Sequence, residues 1–179
     1  MKTRPVSTIV TYLEMVRPPA RLPPQPIGNR LALMRADPAP LHFYRYLYET
    51  VGYNWAWVER LGLSDEDLAS RIHKTGVEIS VLYGNGAPAG YFELDFSADP
   101  VVDLVYFGLF PEWTGQGVGS WLLGCAISDA FSRGAEKMTL NTCTLDHPAA
   151  LPAYQKMGFE PVGQEQRELE VPETMLPGN

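Results

Sequence analysis

Cysteine is nearly absent from this chain, with Cys125 and Cys143 its two examples in 179 residues. Neither has a partner at metal-ligand spacing and both sit in apolar company. They read as buried free thiols rather than a disulfide, no metal is expected, and a reducing, cytoplasmic setting follows. Basic residues are outnumbered: 14 Lys and Arg face 21 Asp and Glu, a net charge of −7. Neutralising phosphates takes a concentrated basic surface, so nucleic acid is excluded as a general partner. An acidic balance serves solubility and is also compatible with a cationic or amine substrate. No apolar run approaches the length that spans a bilayer, so no membrane is expected as a partner. The opening MKTRPVSTIVTYLEM lacks a clean apolar block and a small-residue cleavage site, so it does not read as a signal peptide. No internal repeat is found.

What is present is an ordinary globular composition, 45% hydrophobic and 20% charged, long enough for one well-packed core. Residues 1–179 are expected to form a single domain, with an N-terminal strand and a proline-rich connector occupying about 1–30. VSTIVTYLEM is β-branched and partly alternating, which predicts the first strand. RPPARLPPQP cannot donate ladder hydrogen bonds and predicts a rigid connector across the surface. Residues 40–63 are crowded with aromatics. Leu41, Tyr44, Leu47, Tyr48 and Val51 fall on one stripe, predicting a helix over 39–51. Ser64 with Asp67 three residues on is a capping-box pattern opening a second helix. VEISVLY and AGYFELDF, joined by GNGAP, predict a hairpin, and VVDLVYFGLF a third apolar strand. A helix from Gly117 to Arg133, the strand EKMTLNTC, a helix from Pro148 to Gly158 and one or two final strands complete the chain. The expected order is β-α-α-β-β-β-α-β-α-β-β, a mixed α/β sheet with helices on both faces.

One stretch stands apart. PEWTGQGVGSWLL places glycines at 115, 117 and 119 between a strand and a helix. The first amides of a helix lack intrahelical partners and carry the positive end of its dipole, and glycine admits an anion without a Cβ in the way. The expected visitor is a phosphate or pyrophosphate. The stretch is neither of two familiar phosphate loops: no Lys stands before Ser120, and in a G-x-G-x-x-G register the last slot falls on Ser120 or Leu122.

LVYFGLFPEWTGQGVGSWLL followed by HPAALPAYQKMGF resembles the two signature segments of the GCN5-related N-acetyltransferases, the GNAT superfamily. Gly117 and Gly119 match the glycines of [Q/R]-x-x-G-x-[G/A], and Gly115 is a common extra one. Tyr154, Gly158 and Phe159 match Tyr-x-x-x-Gly-Phe. The resemblance covers about 78–162 and implies the acyl-CoA N-acyltransferase fold with acetyl-CoA as acyl donor. By this resemblance the pyrophosphate lies on amides around Gln116, Gly117, Val118, Gly119 and Ser120. The pantetheine arm lies between the third strand and the strand after the glycine helix, near Leu109 and Phe110. Thr114 occupies the usual Gln or Arg slot, which puts one side-chain phosphate contact in doubt. His147 stands where relatives often carry Asn, as a pantetheine contact, a helix cap or a base. Pro152 is expected to bend or loosen the helix around it.

The resemblance makes Tyr154 the general acid near the sulfur, and Asp103 falls on the strand position carrying the base in the histone-acetylating branch. Burial in so apolar a strand raises a carboxyl pKa, as a base needs. Strand alternation predicts Asp103, Val105, Phe107 and Leu109 on one face. Glu93 and His147 are substitutes for the base, as is a water chain. Tyr44, Tyr48, Trp55, Trp57 and Glu93 are expected to contact the acceptor, since aromatic walls suit a cation or a flat amine. The expected partner is a small-molecule amine, with a homodimer left open. A protein or peptide N-acetyltransferase and a non-catalytic acyl-CoA sensor are the alternatives.

Overall fold

The computed structural model describes residues 2–175. Seven strands form one sheet: β1 (Thr3–Met15), β2 (Leu31–Ala36), β3 (Val77–Gly84), β4 (Ala87–Ala98), β5 (Val101–Leu109), β6 (Lys137–Cys143) and β7 (Glu160–Pro172). Their order across the sheet is β2-β3-β4-β5-β6-β1-β7. Every neighbouring pair is antiparallel except β5 and β6. The four α-helices are α1 (Leu41–Gly52), α2 (Asp65–Ile72), α3 (Val118–Ser132) and α4 (Ala150–Lys156). The mixed sheet with helices on both faces is as expected. None of the helices among the described residues is long and apolar enough to cross a membrane.

The local rules hold where the sequence signals were strong. Leu47, Tyr44 and Val51 are buried on one side of α1. Ser64 caps α2 by accepting the Asp67 N–H at 3.0 Å, and three acidic residues in the first turn complement the helix dipole. Asn85 and Gly86, both with positive φ, make the tight turn between β3 and β4.

One departure is a correction. A strand, β2, precedes α1, where no strand was expected: LALMRA is built from good helix formers and is only half-buried. Pairing with β3 over Leu31↔Gly84 to Ala36↔Ile79 overrides that propensity. The chain then ends its sheet in one strand of 13 residues, β7. The proline-rich connector crosses α3, where Leu22 and Pro23 approach Gly124 so closely that a Cβ there would lie 3.2 Å from Pro23 Cδ.

Two cores result. Leu94, Leu104, Leu122, Ile127 and Phe159 belong to the core under α3 and α4. Tyr44, Leu47, Leu68 and Tyr91 belong to the core under α1 and α2. Between them the sheet is incomplete. β5 and β6 pair only from Val101↔Lys137 to Asp103↔Thr139. Beyond that rung they diverge, opening a gap between residues 104–109 and 140–143.

Candidate functional site

A cavity of about 530 Å³ fills this gap. At one end it is lined by Thr114, Gly115, Gly117, Gly119 and Ser120, and at the other by residues 55–59, Asp103, Tyr106, Asp146 and Tyr154.

Gly115 and Gly117 have φ of +74° and +76°, and Gly117 is the N-cap of the 15-residue α3. Nothing lies within 4 Å of where a Cβ would stand at either, so the space beside the loop at the helix start is open. This geometry suits an anion: oriented N–H groups, a helix dipole and no side chain between. The neighbouring side chains are committed elsewhere. Thr114 Oγ1 donates to Pro111 O at 2.8 Å, and Gln116 Nε2 donates to Glu112 O at 2.7 Å. Val118 is fully buried in the core. Of these three positions only Thr114 lines the cavity; Gln116 and Val118 do not.

Phe110 is a correction. Its ring is buried against Tyr46, its N–H donates to Ala89 O at 2.9 Å, and its carbonyl accepts from Trp113 N at 2.9 Å. It does not line the cavity. Leu109, one residue earlier, does line the cavity.

The alternation along β5 is also corrected. Glu93 pairs with Tyr106 but Leu94 pairs with Leu104, so Val105 is an extra residue, a β-bulge. Side chains switch faces across it. Asp103 shares the α1/α2 face with Tyr106, while Phe107 and Leu109 pack on the α3 side. Asp103 Oδ1 accepts from Thr139 Oγ1 at 2.6 Å. Burial raises its pKa against this bond, helped by the nearby Asp95 and Glu93 carboxylates.

Tyr154 lies on α4 with its ring edge-on to Phe107 and Phe159 at 6.2 and 6.1 Å. Burial, and then the charge of Asp146, push its phenol pKa up, so at neutral pH the hydroxyl is a donor. The Tyr-x-x-x-Gly-Phe segment has a physical reason. Gly158, at φ +101°, ends α4 in a Schellman motif: Phe159 N donates to Tyr154 O at 3.1 Å and Gly158 N to Gln155 O at 3.0 Å. The Tyr154–Phe159 contact is the apolar pair that accompanies this motif. Pro152 does not bend the helix. It occupies the first turn of α4, where its missing N–H has no intrahelical acceptor to lose.

His147 Nδ1 accepts the Ala149 N–H at 3.0 Å, so the ring holds the turn entering α4. Its ring also meets Trp55 edge-on at 4.7 Å. Trp55 and Trp57 line the cavity, and Tyr48 reaches it while packing on Trp57 and Tyr106 at 5.4 and 5.1 Å.

Tyr44 and Glu93 are corrections to the acceptor set. Tyr44 is fully buried and donates to Glu93 at 2.8 Å. Glu93, 1% exposed, takes a bidentate pair from Arg60 at 2.7 and 2.8 Å. A carboxylate so buried and engaged is a structural counter-ion, not a ligand for an incoming amine.

Several contributors carry no signature in the sequence. Asp146 accepts from Thr142 Oγ1 at 2.6 Å, Cys143 N at 2.9 Å and Trp57 Nε1 at 3.3 Å. Tyr106 donates to Glu59 at 2.8 Å at the rim. An acidic residue before His-Pro reads as an ordinary helix-entry residue, and nothing local reveals that Trp57 comes to meet it. Among the described residues no group of three or more His, Cys, Asp or Glu is placed to hold a metal ion.

Comparison with known proteins places this geometry. No curated protein matches the chain by sequence. Among solved structures, a GCN5-related N-acetyltransferase from Sphaerobacter thermophilus aligns with a TM-score of 0.62 at 18% identity, over 95% of this chain and 54% of its own. One from Kribbella flavida aligns at 0.58 and 18% identity, over 95% and 60%. The chain thus spans little more than half the length of these two. An aminoglycoside acetyltransferase from an uncultured soil metagenomic sample aligns at 0.58 and 16% identity, over 72% and 87%. At these identities the likeness is one of fold. The profile of the acetyltransferase (GNAT) family matches residues 37–159, the span that holds α1 to α4 and the whole gap, and the chain belongs to that family.

Proposed function

We propose that this chain transfers an acetyl group from acetyl-CoA directly to a primary amine of a small molecule. The observation that carries the reading is one continuous cavity, running from an open helix N-terminus through an unpaired gap in the sheet to Asp103 and Tyr154. The donor fits this chain. Amides of residues 117–120 hold the pyrophosphate, with no basic side chain needed. Unpaired backbone groups along residues 104–109 receive the pantetheine arm and orient the thioester.

Asp103 accepts the proton that the amine must lose, and Thr139 holds the carboxylate in place. Tyr154 donates its hydroxyl proton to the departing sulfur and is reprotonated from solvent. The amine nitrogen gains the acetyl group as the carbon–sulfur bond breaks. Trp55, Trp57, Tyr48 and Tyr106 wall the acceptor end, a surface suited to a cation or flat amine. The fold likeness to an aminoglycoside acetyltransferase supports an amine on a small molecule. We read residues 1–179 as one domain. The two unpaired cysteines, Cys125 and Cys143, fit a reducing, cytoplasmic compartment.

The test is a panel of amines with acetyl-CoA, followed by free-thiol release and by calorimetry of the donor alone. Amine-dependent thiol release is expected. Donor binding without turnover on any amine would make the chain an acyl-CoA sensor, and no donor binding would end the reading altogether.

A further inference from the structure

The segment between α1 and α2 does not hang free over the gap. Tyr53 donates its hydroxyl to Thr174 O at 3.0 Å. Ala56, with φ of +53°, turns the chain and is buried with Val171 and Met175 at the end of β7. Trp57 donates Nε1 to Asp146 Oδ1 at 3.3 Å, and Trp55 meets His147 beside it. At its far end the segment is fixed by Arg60, whose guanidinium is held by Glu93 and whose N–H donates to Tyr48 Oη at 3.3 Å. The segment therefore begins on the half of the sheet containing β4 and β5 and is tied at four points to the half containing β6 and β7. It passes over the face that Asp103 and Tyr106 share, where β5 and β6 no longer pair.

Resting on the acetyltransfer reading, we infer that residues 53–60 form a fixed strap across the gap, that Asp146 is the positioning residue holding it, and that the acceptor is a compact amine. An extended chain reaching Asp103 has to lie along the face the strap occupies. A peptide terminus or a lysine within a peptide is thus shut out, whereas a small amine is accommodated in the cavity that Trp55, Trp57, Tyr106 and Asp103 line. Asp146 suits the holding role because its two oxygens are divided. Oδ2 takes Thr142 and the Cys143 N–H, which fixes the carboxylate to the end of β6, leaving Oδ1 for the indole. Asp146 acts on the strap through Trp57, and its charge separately raises the Tyr154 phenol pKa.

The substitution Asp146→Asn separates these duties. One amide oxygen keeps the bonds to Thr142 and Cys143, and the amide NH2 then meets the indole N–H donor to donor. Trp57→Phe removes the same bond from the other side and keeps a ring in place. Three measurements test the strap. The first is the exchange rate of the Trp57 indole proton by NMR. The second is acetyl-CoA affinity by calorimetry. The third is steady-state acetylation of compact amines (tyramine, spermidine, an aminocyclitol) against unstructured decapeptides offering a free N-terminus or one lysine.

The wild type is expected to favour a compact amine by on the order of a hundredfold in kcat/KM. Each variant should raise the acceptor KM about tenfold with donor Kd little changed, the size of one lost charge-assisted hydrogen bond, and Trp57→Phe, which leaves the Asp146 charge beside Tyr154, should also keep kcat. The indole proton should exchange faster in Asp146→Asn, and the double variant should be no worse than either single one. Peptides turned over as well as compact amines by the wild type would overturn the inference. So would an Asp146→Asn protein with unchanged acceptor KM and a still-protected indole. Failure of acetyl-CoA to bind the wild type would instead overturn the acetyltransfer reading, leaving the exchange data to judge the strap alone.

Discussion

Asp103 and Thr139 face each other on the last paired rung of β5 and β6, with the threonine hydroxyl donating to the carboxylate at 2.6 Å. One residue further along each strand the ladder is gone. The carboxylate therefore sits at the vertex of the gap, where in the proposed reaction a donor arm lying between the strands would meet an acceptor arriving over the α1/α2 face. The bulge at Val105 sets which side chains face the two sides of this vertex. It turns Asp103 and Tyr106 toward one face while Phe107 and Leu109 line the other.

If the pyrophosphate rests on amides at the start of α3, Gly117→Glu should abolish acetyl-CoA binding by placing bulk and like charge in open space. A positive φ already costs any side chain there about 1–2 kcal/mol, so Gly117→Ala is the control for backbone strain. The alanine variant is expected to keep most donor affinity and the glutamate variant to lose at least about a hundredfold by calorimetry, both remaining folded by circular dichroism. Equal affinity in the two variants would move the phosphate site elsewhere.

Tyr154→Phe keeps the ring contacts with Phe107 and Phe159 and removes one hydroxyl. Donor Kd and melting temperature should hold while kcat falls on the order of ten- to a thousandfold, the range for one positioned proton donor. A variant with wild-type kcat, measured where chemistry limits the rate, would assign Tyr154 to packing.

Glu93 gives a stability prediction. Replacing it by Ala leaves the Arg60 guanidinium buried without its carboxylate and leaves Tyr44 without its acceptor. Removing one partner of such a pair costs about 3–5 kcal/mol. Chemical denaturation should show a loss of this size, and a loss under about 1 kcal/mol would mean that water replaces the carboxylate.

The glycine-loop end of the cavity was legible in the sequence and the opposite end only in part, since Tyr48, Trp55 and Trp57 line it while Tyr44 and Glu93 do not. The reason is physical. Gly115, Gly117, Tyr154 and Gly158 do local work: each sets a turn, a cap or a helix end within a few residues, so the chemistry leaves a short motif. Glu93 and Arg60, 33 residues apart, and Trp57 and Asp146, 89 apart, meet only through tertiary packing. No spacing rule reaches that far. The same limit explains β2, a strand imposed by its neighbour on helix-forming residues, and the face assigned to Asp103, which simple alternation places wrongly because one extra residue in β5 resets the count.

Asp103 supplies the last prediction, in which activity and stability move in opposite directions. Burial, with Asp95 and Glu93 nearby, raises its folded-state pKa above the ordinary 3.8. The base form thus appears only as pH rises through that raised value, and the acid limb of the kcat/KM profile should follow it. Asp103→Asn should lose activity at neutral pH and regain part of it at higher pH, where more of the amine is already neutral. For stability the sign is reversed. A carboxyl favoured in its protonated form by the fold contributes stability below about 3.8, and that contribution is lost as pH rises through the folded value, because the folded state binds more protons than the unfolded one over that interval. Wild type and Asp103→Asn should therefore differ least in melting temperature at low pH. The gap should shift in favour of the asparagine variant as pH rises to neutrality. Melting curves across this range, set beside pH–rate profiles, test both halves. A stability gap that is flat with pH would mean Asp103 is solvated like any surface carboxylate, and an unchanged rate profile would place the base on another group or on water.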